Sequence, residues 1–244
     1  MSLAHEKFIE SQKQRNAAPV KVDLQTTVLV IIDMQEYFLN PASPLCRFGE
    51  RRMPGLWDYF LAQAETVVIP NLRRLLEFCR THHLRVMHTT AASELPDGQD
   101  LIPTWHRTNT VAREQIGEAV FPARTDPWAR IVEPLTPRPE EVVINKTTFS
   151  AFTSTSLDGL LWNLRIETLV LGGVATNRCV ETTARDATDR GYQVILLDDA
   201  SATLSPELQE ATMLSLQGSY GYVRMTDDVL APLKQALPVG ALHS

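Results

Sequence analysis

LVLGGVATNRCVETTARDATDRGYQVILLDDASAT, residues 169–203, decides the fold. Its two outer runs, LVLGGV and YQVILLDD, are short, continuous and rich in β-branched residues, as strands covered on both faces are. Between them CVETTARDATDRG repeats apolar or small residues at spacings of three and four, the period of a helix face. Strand, helix and strand in this order predict a right-handed crossover between parallel strands.

The same alternation extends along the chain. TTVLVIID (26–33), LRVMHTT (84–90), EVVINK (141–146) and the weaker GYVRMT (221–226) read as further strands. AETVVIPNLRRLLEFCRTHH, SLDGLLWNLR and SPELQEATMLSLQG read as helices, with Pro70 marking a first turn or a kink in the first of them. The fold class is therefore α/β: a doubly wound, mostly parallel six-stranded sheet with helices on both faces, a Rossmann-like three-layer sandwich. With 244 residues, 44% of them hydrophobic, the chain suits one large domain over residues 1–244. Two insertions interrupt it, at about 39–58 and 89–139. The second holds seven of the 15 prolines together with Trp105, His106, Phe121 and Trp128, and its aromatics favour a packed cover over a loose linker.

A net charge of −6 with no basic run argues against nucleic acid and anionic membrane surfaces as partners. The polar N-terminus does not resemble a signal peptide, and no apolar run approaches the ~20 residues of a membrane span, so a cytoplasmic location is expected. Three cysteines at wide spacing, Cys46, Cys79 and Cys179, fit neither a disulfide framework nor a CxxC metal site.

In sheets of this kind ligands bind beyond the C-terminal ends of the strands, where Asp33, Lys146 and residues 174–179 fall. With Thr176 or Asn177 as N-cap, Cys179 lies in the first turn of a helix. The dipole there lowers a thiol's pKa and favours the thiolate, and unpaired N–H groups there stabilise an oxyanion. The alternative is a cysteine acting as a small buried hydrophobe. Asp33 reads either as a turn cap or as a general base, and Lys146 as a lysine snorkelling from the sheet or as a cation that holds an anion charged.

Three blocks, VLVIIDMQEYFLNP (28–41), VVINKTTFSAFTSTSLDGLL (142–161) and residues 169–203, resemble the isochorismatase-like cysteine hydrolase superfamily. The resemblance covers nearly the whole chain from Thr26 onward, least closely in the two insertions. It implies an Asp–Lys–Cys catalytic triad at Asp33, Lys146 and Cys179. It also implies a cis peptide before Ala175, turning the Ala175 N–H toward the same anion site as the Cys179 N–H.

Members that act on isochorismate lack the cysteine, so Cys179 points to covalent hydrolysis of C–N bonds. Nicotinamidases add an Asp-x-His pair and a second histidine for a metal, and no histidine follows Asp33 before His82 and His83, so no metal and no cofactor is expected. His88, within an apolar strand, reads as a satisfied core histidine; His106 is the one histidine considered for substrate contact. The remaining branch takes small amide, carbamoyl or ureido substrates, as N-carbamoylsarcosine, ureidoacrylate, biuret and triuret hydrolases do. Within it Gln217 matches a substrate-contacting glutamine, while Phe38 and Phe149, with Phe152 and Trp105, are candidates for the pocket wall. A nicotinamidase-type amidase and a non-catalytic binding member are the alternatives. Family resemblance further implies a homo-oligomer, a dimer or tetramer.

Overall fold

A computed structural model describes residues 3–20 and 22–235. In chain order its elements are α1 (Leu3–Asn16), β1 (Thr27–Ile32), α2 (Glu36–Leu39), α3 (Pro44–Arg52), α4 (Asp58–Gln63), α5 (Ile69–Thr81) and β2 (Arg85–Ala91). They continue with α6 (Pro103–Ile116), β3 (Val142–Lys146), α7 (Leu157–Asn163), β4 (Thr168–Val174), α8 (Glu181–Asp189), β5 (Gln193–Ala202), α9 (Pro206–Leu216), β6 (Tyr222–Arg224) and α10 (Thr226–Gln235). The six strands form one sheet in the order β3-β2-β1-β4-β5-β6, every pair parallel. Strand order reverses between β1 and β4. A doubly wound sheet opens its crevice at that point, beyond the strand ends.

Alternation of side chains along each strand builds two cores. Val28, Val30 and Ile32 of β1 pack with Leu157 and Leu161 of α7, Ala184 and Ala187 of α8, and Leu216 of α9. Leu29 and Ile31, pointing the other way, pack with Leu72, Leu75 and Leu76 of α5 and Val229, Leu230 and Leu233 of α10. All six β1 residues are buried, which is why this strand is apolar throughout instead of alternating. Truncating a central side chain such as Leu72, fully buried in the second core, to alanine costs about 2–5 kcal/mol.

Local signals set the helix boundaries. The helix expected over residues 64–83 is divided: α4 runs through a π-helical turn, Ala64–Val68, into α5, whose first turn contains Pro70. The Ile69 N–H returns to the Ala64 carbonyl, five residues back, and this wider turn just before Pro70 accommodates a residue that lacks an N–H donor. Both insertions contain helices that the periodicity did not reveal, α3 and α6, each with a proline at its start. The helix α1 caps the exposed edge of β6: Asn16 accepts from the Val223 N–H at 2.8 Å. Covering an edge strand in this way blocks pairing with other chains.

Gly173 sits in β4 at the switch point with φ of +121°, and a Cβ there would lie 2.1 Å from the Ile32 carbonyl oxygen. Only glycine allows β1 and β4 to approach this closely at their C-terminal ends. The same end of the sheet brings Asp33, Lys146 and Cys179 together.

Candidate active site

Asp33 immediately follows β1, with φ of +52° and no solvent exposure. Its backbone N–H donates to the Thr89 carbonyl at 3.1 Å, and its Oδ1 accepts from the Thr89 hydroxyl at 2.7 Å. Two residues on, the fully buried Gln35 accepts from the Ala91 N–H and donates to the Ala129 carbonyl, both at 2.7 Å. These bonds fix the segment after β1 against the end of β2.

Lys146, the last residue of β3, pairs in register with Ala91 and is also fully buried. Its ammonium lies 2.7 Å from Asp33 Oδ2 and donates to the Thr148 carbonyl at 3.0 Å and to Cys179 Sγ at 3.3 Å. The Trp105 ring lies 5.5 Å from the ammonium, in cation–π range. Burial opposes the charge on Lys146, but the interactions with Asp33 and with Cys179 outweigh it, so its pKa is raised. This is a buried ion pair, not the snorkelling lysine of the alternative reading.

Beyond β4 the Val174–Ala175 peptide is cis. Cys179 lies in a wide π-helical turn, Thr176–Val180, whose N-cap is Ala175, earlier than either residue expected in that role. The N–H groups of Arg178 and Val180 both return to the Ala175 carbonyl, at 3.0 and 3.3 Å. Thr203 ties the turn to the end of β5 by donating to Asn177 Oδ1 at 2.6 Å. Burial pushes the Cys179 thiol up to about 12; Lys146 pulls it down, while the Asp33 carboxylate adds to the rise. Desolvation of a sulfur only 2% exposed thus works against the thiolate that a helix start and the Lys146 cation favour.

Cys179 forms part of the floor of a cavity of about 650 Å³. Phe38, Phe149 and Trp105 line it with Ala175, and the 39–58 insertion supplies Phe48 and Trp57. Trp105 stacks on Phe121 at 5.0 Å between centroids and meets Phe149 edge-on at 5.1 Å. Both insertions are thus walls of this chamber.

Other expected residues lie elsewhere. Gln217 does not line the cavity: it caps the end of α9 and bridges to Gly221 just before β6, at the N-terminal end of that strand, away from the crevice. Phe152 turns from the cavity to stack on Tyr192. His106 lies on α6 outside the lining, although its neighbours Trp105 and Arg107 line it. His88 is fully buried, with Nε2 3.3 Å from Glu141, while its Nδ1 has no partner. Among the described residues no three His, Cys, Asp or Glu side chains gather as a metal site would require. Sequence reasoning missed Thr89, which binds the Asp33 carboxylate, although a polar residue in a buried strand beside Asp33 was an available signal. It also missed Arg52, Arg107 and Arg178, which line the cavity from three separate segments.

The isochorismatase domain model matches residues 27–228, which include every element from β1 through β6. The chain belongs to the isochorismatase family of hydrolases. Ureidoacrylate amidohydrolase RutB of Methylorubrum extorquens is 32% identical over 214 residues, 84% of this chain and 82% of that protein. The isochorismatase family protein YwoC of Bacillus subtilis is 31% identical over 215 residues, 88% of this chain and 98% of its own. Among solved structures, an isochorismatase family protein from Desulfovibrio vulgaris superimposes with a TM-score of 0.68 at 28% identity, over 85% of this chain and 99% of that one. A cysteine hydrolase from Pseudomonas syringae shares the fold with a TM-score of 0.74 at 24% identity, over 91% of this chain and 100% of its own.

Proposed function

We propose that this isochorismatase family member hydrolyses C–N bonds of a small amide, carbamoyl or ureido substrate through a covalent Cys179 intermediate, releasing ammonia. The observation that carries this reading is the contact of Lys146 with both Asp33 and Cys179 beneath an open cavity. The similarity to ureidoacrylate amidohydrolases supports a C–N bond as the target.

At rest the cluster holds a carboxylate, an ammonium and a neutral thiol. As Cys179 Sγ attacks the substrate carbonyl, its proton passes to Asp33, so the cluster stays electrically balanced while the sulfur becomes nucleophilic. Lys146 faces both atoms that exchange the proton and stabilises whichever carries negative charge. The Ala175 and Cys179 N–H groups bind the developing oxyanion. When the C–N bond breaks, Asp33 returns the proton to departing ammonia, leaving a thioester or thiocarbamate. Asp33 then takes a proton from water, which attacks the same carbon, and Cys179 leaves and is reprotonated.

Ammonia release over a panel of simple amides, ureides and carbamoyl amino acids tests the reading. Release from at least one class, lost on Cys179→Ala, is the expected result. Binding of panel members without any release would favour a non-catalytic role.

A further inference from the structure

The cavity above Cys179 is lined by three arginines and by no aspartate, glutamate, lysine or histidine. That is a strong local bias in a chain with 29 acidic and 23 basic side chains. Arg52 comes from α3, Arg107 from α6 and Arg178 from the turn that holds Cys179. Arg47, Arg80 and Arg185, in contrast, are each paired with a carboxylate, that of Glu118, Glu141 and Glu181 respectively. Among the described residues Arg52, Arg107 and Arg178 have no carboxylate within ion-pair distance; the Arg52 guanidinium lies 5.2 Å from the Phe48 ring centre. Three exposed arginines lining one cavity without a carboxylate beside them favour an anion, above all a carboxylate held through paired N–H donors.

The space between these arginines and the sulfur is aromatic. Phe38, Phe48, Trp57, Trp105, Phe121 and Phe149 wall a volume of about 650 Å³, within the ~300–1,000 Å³ typical of pockets for drug-sized ligands. A compact ureide would leave most of that apolar wall facing water, which disfavours its binding relative to a ligand that covers the wall.

We infer that the substrate is an amphipathic acid: an amide or ureide whose scissile carbonyl is joined through an apolar body of aromatic size to a carboxylate. The carbonyl meets Cys179, the body packs against the aromatic wall, and the carboxylate engages the arginines. This names the substrate class for the hydrolase reading above and rests on it for the fate of the amide, but the binding half stands independently.

The probes are 4-phenylbutyrate and its neutral counterpart 4-phenylbutanol, titrated into the full-length protein with tryptophan fluorescence as the signal, since Trp57 and Trp105 line the cavity. The carboxylate should bind at least about tenfold more tightly than the alcohol, with the preference shrinking in 0.5 M salt as exposed charges are screened. Arg52→Gln and Arg107→Gln should each reduce the preference severalfold without weakening the alcohol. Equal binding of the two probes, or a preference untouched in both variants, overturns the inference. In parallel, the monoamide of 1,4-phenylenediacetic acid and its methyl ester are assayed for ammonia release. The acid should have at least a tenfold higher kcat/KM, carried by KM. Tight carboxylate binding with no amide of any kind cleaved would sink the hydrolase reading alone. Cleavage of small neutral ureides by a protein that ignores 4-phenylbutyrate would sink this inference alone.

Discussion

Lys146 Nζ and Asp33 Oδ2 lie 2.7 Å apart, and neither side chain reaches solvent. Removing one member of such a pair leaves an uncompensated buried charge, which costs about 3–5 kcal/mol. Lys146→Met should therefore destabilise the protein by that order, and the Asp33→Asn/Lys146→Met double variant should recover much of the loss. In the single variant the Cys179 thiol loses the cation that lowers its pKa, so alkylation by iodoacetamide at pH 8 should slow. Denaturant melts and alkylation rates check the two halves separately, and unchanged alkylation would remove Lys146 from the chemistry.

Much of this arrangement is legible in the sequence because its causes are local. Strands β1 and β4 are buried on both faces, so they read as continuous apolar runs, and the first polar residue after β1, Asp33, marks the end of the sheet. Helices α3 and α6 were hidden in proline-rich segments, because Pro44 and Pro103 start helices there instead of breaking them. The burial of Cys179 was not legible, since it is imposed by Trp105, Phe149 and Lys146, distant in sequence. Gln217 was expected at the substrate from resemblance alone, and a resemblance in residues 214–223 does not say that this turn lies at the N-terminal end of β6, away from the crevice.

Thr89 donates to Asp33 Oδ1 at 2.7 Å, and in the proposed mechanism it positions that carboxylate. Thr89→Val keeps the shape but leaves that oxygen without its bond, a change of about 1.5–3 kcal/mol for a charged acceptor. On any amide that the wild type cleaves, kcat should fall about tenfold or more with KM little changed, in line with the lower part of that range. Thr89→Ser, which retains the hydroxyl, should restore most of the rate. Failure of serine to rescue would assign the loss to packing.

Acid sensitivity should originate at Glu141, which receives both Arg80 Nε at 2.7 Å and Arg80 Nη2 at 2.8 Å. Burial works to raise its pKa, but the Arg80 hydrogen bonds prevail and hold the carboxyl at about 2, below its ordinary 4.5. A folded-state pKa below the unfolded value gives stability that is complete above about pH 4.5 and lost as pH falls toward 2. His88, whose pKa burial lowers, adds loss in the same direction as the unfolded imidazole gains its proton below about 6.5. Stability measured from pH 7 to 3 should fall progressively, and Arg80→Gln should reduce the step below pH 4.5. An Arg80→Gln curve parallel to the wild type would show that the pair does not control acid unfolding.

The nucleophile is tested most directly by ammonia release from Cys179→Ala, beside Cys46→Ala and Cys79→Ala, on one substrate the wild type cleaves. All three thiols are buried and free, so burial alone does not distinguish them, whereas only Cys179 touches the Lys146 ammonium and the cavity floor. The predicted result is a fall of about 10⁴-fold or more for Cys179→Ala, comparable to removal of a nucleophile from other covalent hydrolases, with normal circular dichroism and with both other variants near the wild-type rate. Turnover by Cys179→Ala within a few-fold of the wild type would contradict covalent catalysis at this residue.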